Sequence, residues 1–180
     1  MKTMKWTVVT LITLFALISL GWADKMEIPL GGAALISSDA AQRVVMKVNL
    51  TGLPQKAVVD YAEVRFAQGL GVSTKDLFGV WVQAMNKAWE PGSVSWTVPW
   101  TTPGGDFGSE NVMAVVRPGV SEFDGRLDVT RFVKTWRSGT ANNGLILRRI
   151  PGEGDLFKVD GNALKTALSQ AKLVVLYSPQ

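Results

Sequence analysis

Tryptophan is the residue type with most to offer a ligand in this sequence, and histidine and cysteine are the types it lacks entirely. Without those two there is no Ser-His-Asp or Cys-His nucleophile, no histidine-based zinc site and no side chain that ordinarily titrates near neutrality. Paired-carboxylate glycoside hydrolysis needs only two acids at a fixed separation. Nothing in the spacing of Glu63, Glu90, Glu110, Glu122 and the aspartates selects such a pair. Nor does a glycine-rich stretch suit a phosphate, because Gly69-Leu70-Gly71 lacks the third glycine and the lysine of such loops. The residue types point away from catalysis and toward binding.

An exposed indole can stack on the C–H face of a sugar ring while carboxylates, amides and guanidinium groups meet the hydroxyls at the rim. Trp81 lies between Val80 and Val82 in an alternating stretch, so it faces outward if the valines face a core. Trp100 sits in Pro99-Trp100-Thr101-Thr102-Pro103, which reads as a surface loop. These two are the candidate platforms, with Asp106, Asn142, Asn143 and Arg148 as polar candidates beside them. Partner-protein contact and partial burial are the competing roles. Trp136 shares a helical face with Phe132 and Val133 and reads as core, and Trp89 and Trp96 read as structural. The acidic glycine loops at 104–110 and 151–155 offer oxygen ligands for a structural calcium, or are ordinary solvated turns; neither has the alternation of an EF-hand loop.

The elements that would position these residues are mostly strands. Period-two alternation marks Val44 to Leu50 and Val58 to Phe66. Further strands are expected over Leu77 to Met85, Val94 to Thr97, Val112 to Arg117, Leu145 to Ile150 and Lys172 to Ser178. Glycine, proline, asparagine and aspartate fall between them at short intervals, which suits an antiparallel sandwich or barrel better than βαβ units. One short helix is expected near 129–138, with Thr130 as its cap and Ser138-Gly139 as its stop. A second, weaker one spans Ala163 to Ala171. No repeat or linker divides the chain.

Several of these segments together resemble a known family. Trp89-Glu90-Pro91-Gly92-Ser93-Val94-Ser95-Trp96 is similar to the tryptophan-acid-x-x-x-valine-x-tryptophan signature of the DNRLRE domains, which include a polysaccharide-binding module family. The similarity continues through Leu127-Asp128-Val129-Thr130, Val133-x-x-Trp136-x-x-Gly139 and Asn142-Asn143-Gly144-Leu145-Ile146-Leu147. Arg43 to Leu53 and Lys172 to Tyr177 resemble its early and last strands. The resemblance implies an all-β, antiparallel jelly-roll β-sandwich with polysaccharide as the ligand. Two departures mark a divergent member. Phe157-Lys158-Val159-Asp160 lacks the arginine of the motif that names the family, and Met26 to Asp39 lacks the expected Asp and Asn-Gly pattern.

The N-terminus reads as a cleavable export signal. Lys2 and Lys5 precede an apolar run from Val8 to Leu20, and Gly21-Trp22-Ala23 offers small residues at the cleavage positions. That run is well short of the roughly 20 residues of a spanning helix, so no stable membrane span is expected after cleavage. Residues 24–180 then form one domain, secreted or held at the cell surface. The two lysines leave with the signal and the net charge falls from +4 to +2. The remaining basic residues are scattered, which argues against nucleic acid. Two functions follow as expectations: a non-catalytic polysaccharide-binding module, or a structural subunit of a cell surface or appendage. The subunit would self-assemble through exposed strands, and Ile28 to Ile36 is either such a strand or the first strand of the sandwich.

Overall fold

Alternation along the strands places one apolar face of each against a common interior, and the chain alternates between two sheets to build it. The computed structural model describes residues 23–66, 78–116, 126–150, 167 and 170–179. The expected signal segment therefore lies outside the described residues but for Ala23, as do the 151–155 loop and Phe157 to Asp160. The strands are β1 (Asp24–Pro29), β2 (Gly32–Ser37), β3 (Gln42–Lys47), β4 (Val58–Arg65), β5 (Phe78–Met85), β6 (Phe107–Val116), β7 (Arg126–Asp128), β8 (Leu145–Arg149) and β9 (Lys172–Ser178), with helix α1 (Thr130–Arg137) between β7 and β8. One antiparallel sheet has the order β1-β9-β4-β7 and the other β2-β3-β8-β5-β6. The fold is an all-β sandwich with one short helix, as the residue pattern predicts.

Ile28 to Ile36 is not one strand. Pro29 ends β1 and Gly32, at a φ of +135°, turns the corner into β2, so the segment crosses from one sheet to the other. Both halves pair inside the domain, β1 with β9 and β2 with β3. In β4 the ladder shifts between Val59 and Tyr61. This bulge breaks strict alternation: Val59, Ala62, Val64 and Phe66 are buried together, whereas Val58 is exposed. β3 ends at Lys47, short of Leu50, and Val94 to Thr97 forms turns instead of a strand.

The main core lies between the sheets. Leu127, Val64, Leu173 and Ile28 line up across one sheet, and Leu35, Val44, Leu147 and Val82 across the other. Helix α1 adds Phe132, Val133 and Trp136, the stripe predicted by their spacing. Of the weaker helix expected at Ala163 to Ala171, Ala167, Gln170 and Ala171 are described; Ala167 is helical and fully buried.

Thr130 does not cap its helix. The Asp128 carboxylate accepts the Thr130 N–H at 2.9 Å, while the Thr130 hydroxyl clasps the adjacent strand. The Ala62 N–H donates to Thr130 Oγ1 at 2.9 Å, and that hydroxyl donates to the Ala62 carbonyl at 3.2 Å. The side chain thereby extends the β4–β7 ladder past the end of β7. Thr130→Val leaves the buried Ala62 N–H without an acceptor, which should cost about 1–3 kcal/mol. Urea denaturation should show that loss for valine, whereas Thr130→Ser should recover most of it.

Candidate functional site

Two central strands are apolar on both faces, and that decides where the tryptophans go. Val44, Val45 and Met46 of β3 are all buried, as are Leu145, Ile146 and Leu147 of β8. The inward residues join the main core. Val45 and Ile146 face the other way, with Ile36 and Met85, and need a cover of their own. The loop between β5 and β6, residues 86–106, supplies it by laying Trp89, Val94, Trp96 and Trp100 over the outer face of the five-stranded sheet.

The loop is held by its own polar groups. Trp89 Nε1 donates to the Asn143 carbonyl (2.9 Å) and Trp100 Nε1 to the Ser95 carbonyl (2.8 Å). Ser93 and Val94 donate their N–H groups to the Glu90 carbonyl, so the signature acid orders a turn through its backbone. Its carboxylate reaches Lys47 Nζ at 3.4 Å. Gly104, at a φ of +91°, gives its carbonyl to Arg43 Nη1 at 2.6 Å; a Cβ there would collide with that guanidinium and with the Trp96 ring.

These contacts redistribute the six candidate residues. Trp100 is only 7 % exposed and belongs to the second core, which corrects its reading as a surface platform. A proline-flanked loop was the signal for exposure, but the loop folds back onto a sheet face that would otherwise be bare. The Asp106 carboxylate accepts the N–H groups of Thr101 (2.7 Å) and Thr102 (2.9 Å), and those bonds hold its pKa below the ordinary 3.8. Asn142 bridges the Val48 carbonyl and the Gly144 N–H. Asn143 serves Trp89 through its backbone. Only Trp81 and Arg148 come together, as directly opposed residues of β5 and β8 with the guanidinium 4.4 Å from the indole centroid.

That pair is the open end of a longer stack. Arg148 also lies 4.8 Å from the Phe107 ring, Arg43 lies 5.5 Å from the same ring, and Arg43 lies 4.9 Å from Trp96. Trp81, Arg148, Phe107, Arg43 and Trp96 thus alternate rings and guanidinium groups across the sheet. Arg148 Nε donates to Gln83 Oε1 (2.5 Å), and Gln83, itself buried, donates to the Gly108 carbonyl (2.7 Å). Trp81 is half-buried, belongs to neither core, and is followed across β6 by Met113. Met113 is 65 % exposed. The row Arg148–Trp81–Met113 is an apolar surface with a cation at one end, and sequence reasoning missed its methionine.

The outer face of the four-stranded sheet is different in kind. Glu63, 3 % exposed, accepts hydrogen bonds from the Tyr61 hydroxyl (3.1 Å) and from Arg65 Nε (2.9 Å). Burial, then the Glu63 charge, pushes the Tyr61 hydroxyl up to about 12. A cleft of about 170 Å³ lies beside them, lined by Glu27, Arg65, Phe66, Gln170, Lys172 and Val174. Glu27 pairs with Lys25 (2.7 Å) and Lys172 (3.2 Å). Among the described residues no group of three or more acids is placed to hold a metal ion.

No family model matches the chain, and no curated protein matches it.

Trp100→Ala should cost about 3–5 kcal/mol, as core tryptophan truncations do, whereas Trp81→Ala should cost about 1–2 kcal/mol. Thermal unfolding of the two variants side by side checks the ranking. A second expectation concerns acid. Asp106 has a lowered folded pKa, so its contribution to stability is present above the ordinary 3.8 and lost as pH falls through the folded value. Asp106→Ala should abolish that part of the acid transition of the loop, read by tryptophan fluorescence.

Proposed function

We propose that this protein is exported and binds polysaccharide without catalysis, using the Arg148–Trp81–Met113 row of the five-stranded sheet. The observation that carries this reading is Trp81. Of the five tryptophans in the described residues, Trp89, Trp100 and Trp136 are buried and Trp96 packs on the second core. Trp81 alone among them stands outside both cores, on a strand paired on both sides, with a cation held beside its ring. An indole so placed offers its apolar body to a sugar face, and its surroundings offer polar groups to the hydroxyls. The strand order supports the jelly-roll reading behind the resemblance: β1-β9-β4-β7 faces β3-β8-β5-β6, with β2 as an added edge, which is the order two nested Greek keys produce.

Assembly through strand pairing is the second reading, favoured by a different observation. Among the described residues, β6 pairs on one side only, and its exposed side carries Met113 beside backbone groups that another strand could complete.

Affinity electrophoresis against a panel of neutral and acidic polysaccharides tests the first reading. Retardation by at least one polymer is expected, and Trp81→Ala should weaken it about tenfold, the equivalent of about 1.4 kcal/mol. Retardation unchanged by Trp81→Ala, or no retardation by any polymer, would remove this face as the sugar site.

A further inference from the structure

We infer that the outer edge of β6 is a joint between two copies of this chain, paired antiparallel about a two-fold axis so that two five-stranded sheets continue as one. The inference rests on the assembly reading above and names its edge, its partner and its symmetry.

The sandwich has four sheet edges among the described residues, and β1 and β7 are guarded by charge, proline or shortness. β1 carries Asp24, Lys25, Glu27 and Pro29, and Lys25 pairs with Glu27 at 2.7 Å. β7 is three residues long and carries Arg126 and Asp128. β2 is six residues long and begins at Gly32, against the Pro91 ring. Short strands, charges and proline are the usual devices that keep an edge from pairing.

β6 is longer than β1, β2 or β7 and less charged than β1 or β7. It runs ten residues, from Phe107 to Val116, with no lysine, arginine or proline, and Glu110 is its one charge. Arg131 of α1 already neutralises that charge at 2.8 Å. Ser109, Glu110, Asn111 and Met113 are exposed along it. Its inner side is fully engaged, with Phe78 to Gln83 of β5 opposite Val116 to Asn111.

A second copy fits this edge because the strand is self-complementary. Closed oligomers favour two-fold joints in which the same patch meets itself. With the axis at Val112 or Met113, Glu110 faces Ala114 or Val116 of the partner subunit, so no like charges are opposed. Met113 then meets Asn111 or Met113 of the partner subunit on the outer face. Val112 and Met113 lie at the centre of the joint, and each neutralised Glu110–Arg131 pair lies two or three residues from the axis.

The chain has no cysteine, so a single introduced thiol reports position cleanly. Wild-type protein should sediment as a monomer–dimer equilibrium over a concentration series. Met113→Cys should cross-link to a dimer with a short bis-maleimide, and Lys25→Cys on β1 should not. Met113→Lys places a charge at the joint and should weaken the dimer about tenfold while leaving the circular dichroism and melting midpoint near wild type. Asn111→Lys, at another exposed position of the same edge, repeats the test if the first lysine variant fails to fold. A dimer that withstands both lysines, or that cross-links through Lys25→Cys and not through Met113→Cys, overturns the β6 joint and leaves assembly by another edge standing. A wild-type monomer across the whole series overturns both.

Discussion

The structure depends on one constraint: β3 and β8 are apolar on both faces, so the sheet they centre must be covered twice. The second sheet and helix α1 cover the inner face. Among the described residues, the 21-residue loop between β5 and β6 covers the outer one. Val45, Ile146, Ile36 and Met85 would otherwise present a contiguous apolar patch to water, and patches of that kind seldom persist unless they serve as interaction sites. Most of the tryptophan in the described residues is committed to this cover. That commitment limits what is left for a ligand.

The way the cover ends explains where the open surface begins. Loop residues Trp89, Trp96 and Trp100 pack over the half of the sheet nearest β2, β3 and β8. Beyond them the alternation of rings and guanidinium groups carries the apolar surface outward: Trp96 to Arg43, Arg43 to Phe107, Phe107 to Arg148, and Arg148 to Trp81. Each guanidinium plane lies against an aromatic face while its edge makes hydrogen bonds, which is how arginine spans an apolar and a polar environment at once. Arg43 is tied to the Gly104 carbonyl and Arg148 to Gln83. The series therefore fixes the loop to the sheet at one end and leaves Trp81 and Met113 at the other. Position along one stack separates the structural aromatics from the available ones.

Strand periodicity made the fold legible, and its failures have particular causes. The spacing of Phe132, Val133 and Trp136 locates the helix to within a residue at each end, and Lys172 to Ser178 is placed as observed. The outward direction of Trp81 followed from Val80 and Val82, both fully buried. Strict alternation from Val58 to Phe66 would put Val59 opposite Ala62 and Val64, but a bulge shifts the phase and leaves no signature in residue type. Alternation does not reveal that both faces of β3 and β8 are covered, although the unbroken apolar runs Val44-Val45-Met46 and Leu145-Ile146-Leu147 carry that information. Trp100 was misplaced by a rule about loops that holds only when the loop lies on solvent and not on a second core. Asp106, Asn142 and Asn143 have the chemistry of a sugar site, but turns use the same groups to satisfy backbone N–H and C=O. Sequence alone does not distinguish those uses, because both favour short polar side chains in loops.

Binding and assembly are not rivals for this surface, because the Trp81 row runs toward the β6 edge. Arg148, Trp81 and Met113 are directly opposed across β8, β5 and β6, so the row is perpendicular to the strands and meets the edge at Met113. Pairing two copies along β6 would set one row end to end with its symmetry mate, offset by at most two residues. A polymer lying along the first row would then meet the second with no change of sheet and no linker to order. Two weak stacking sites held rigidly on one continuous sheet raise the effective concentration of the second contact, and avidity grows without any new contact chemistry. A lone sandwich with one half-exposed indole has little surface with which to hold a polysaccharide. A paired one would double the row without burying either tryptophan, which is a physical reason for the row to end on the edge strand β6.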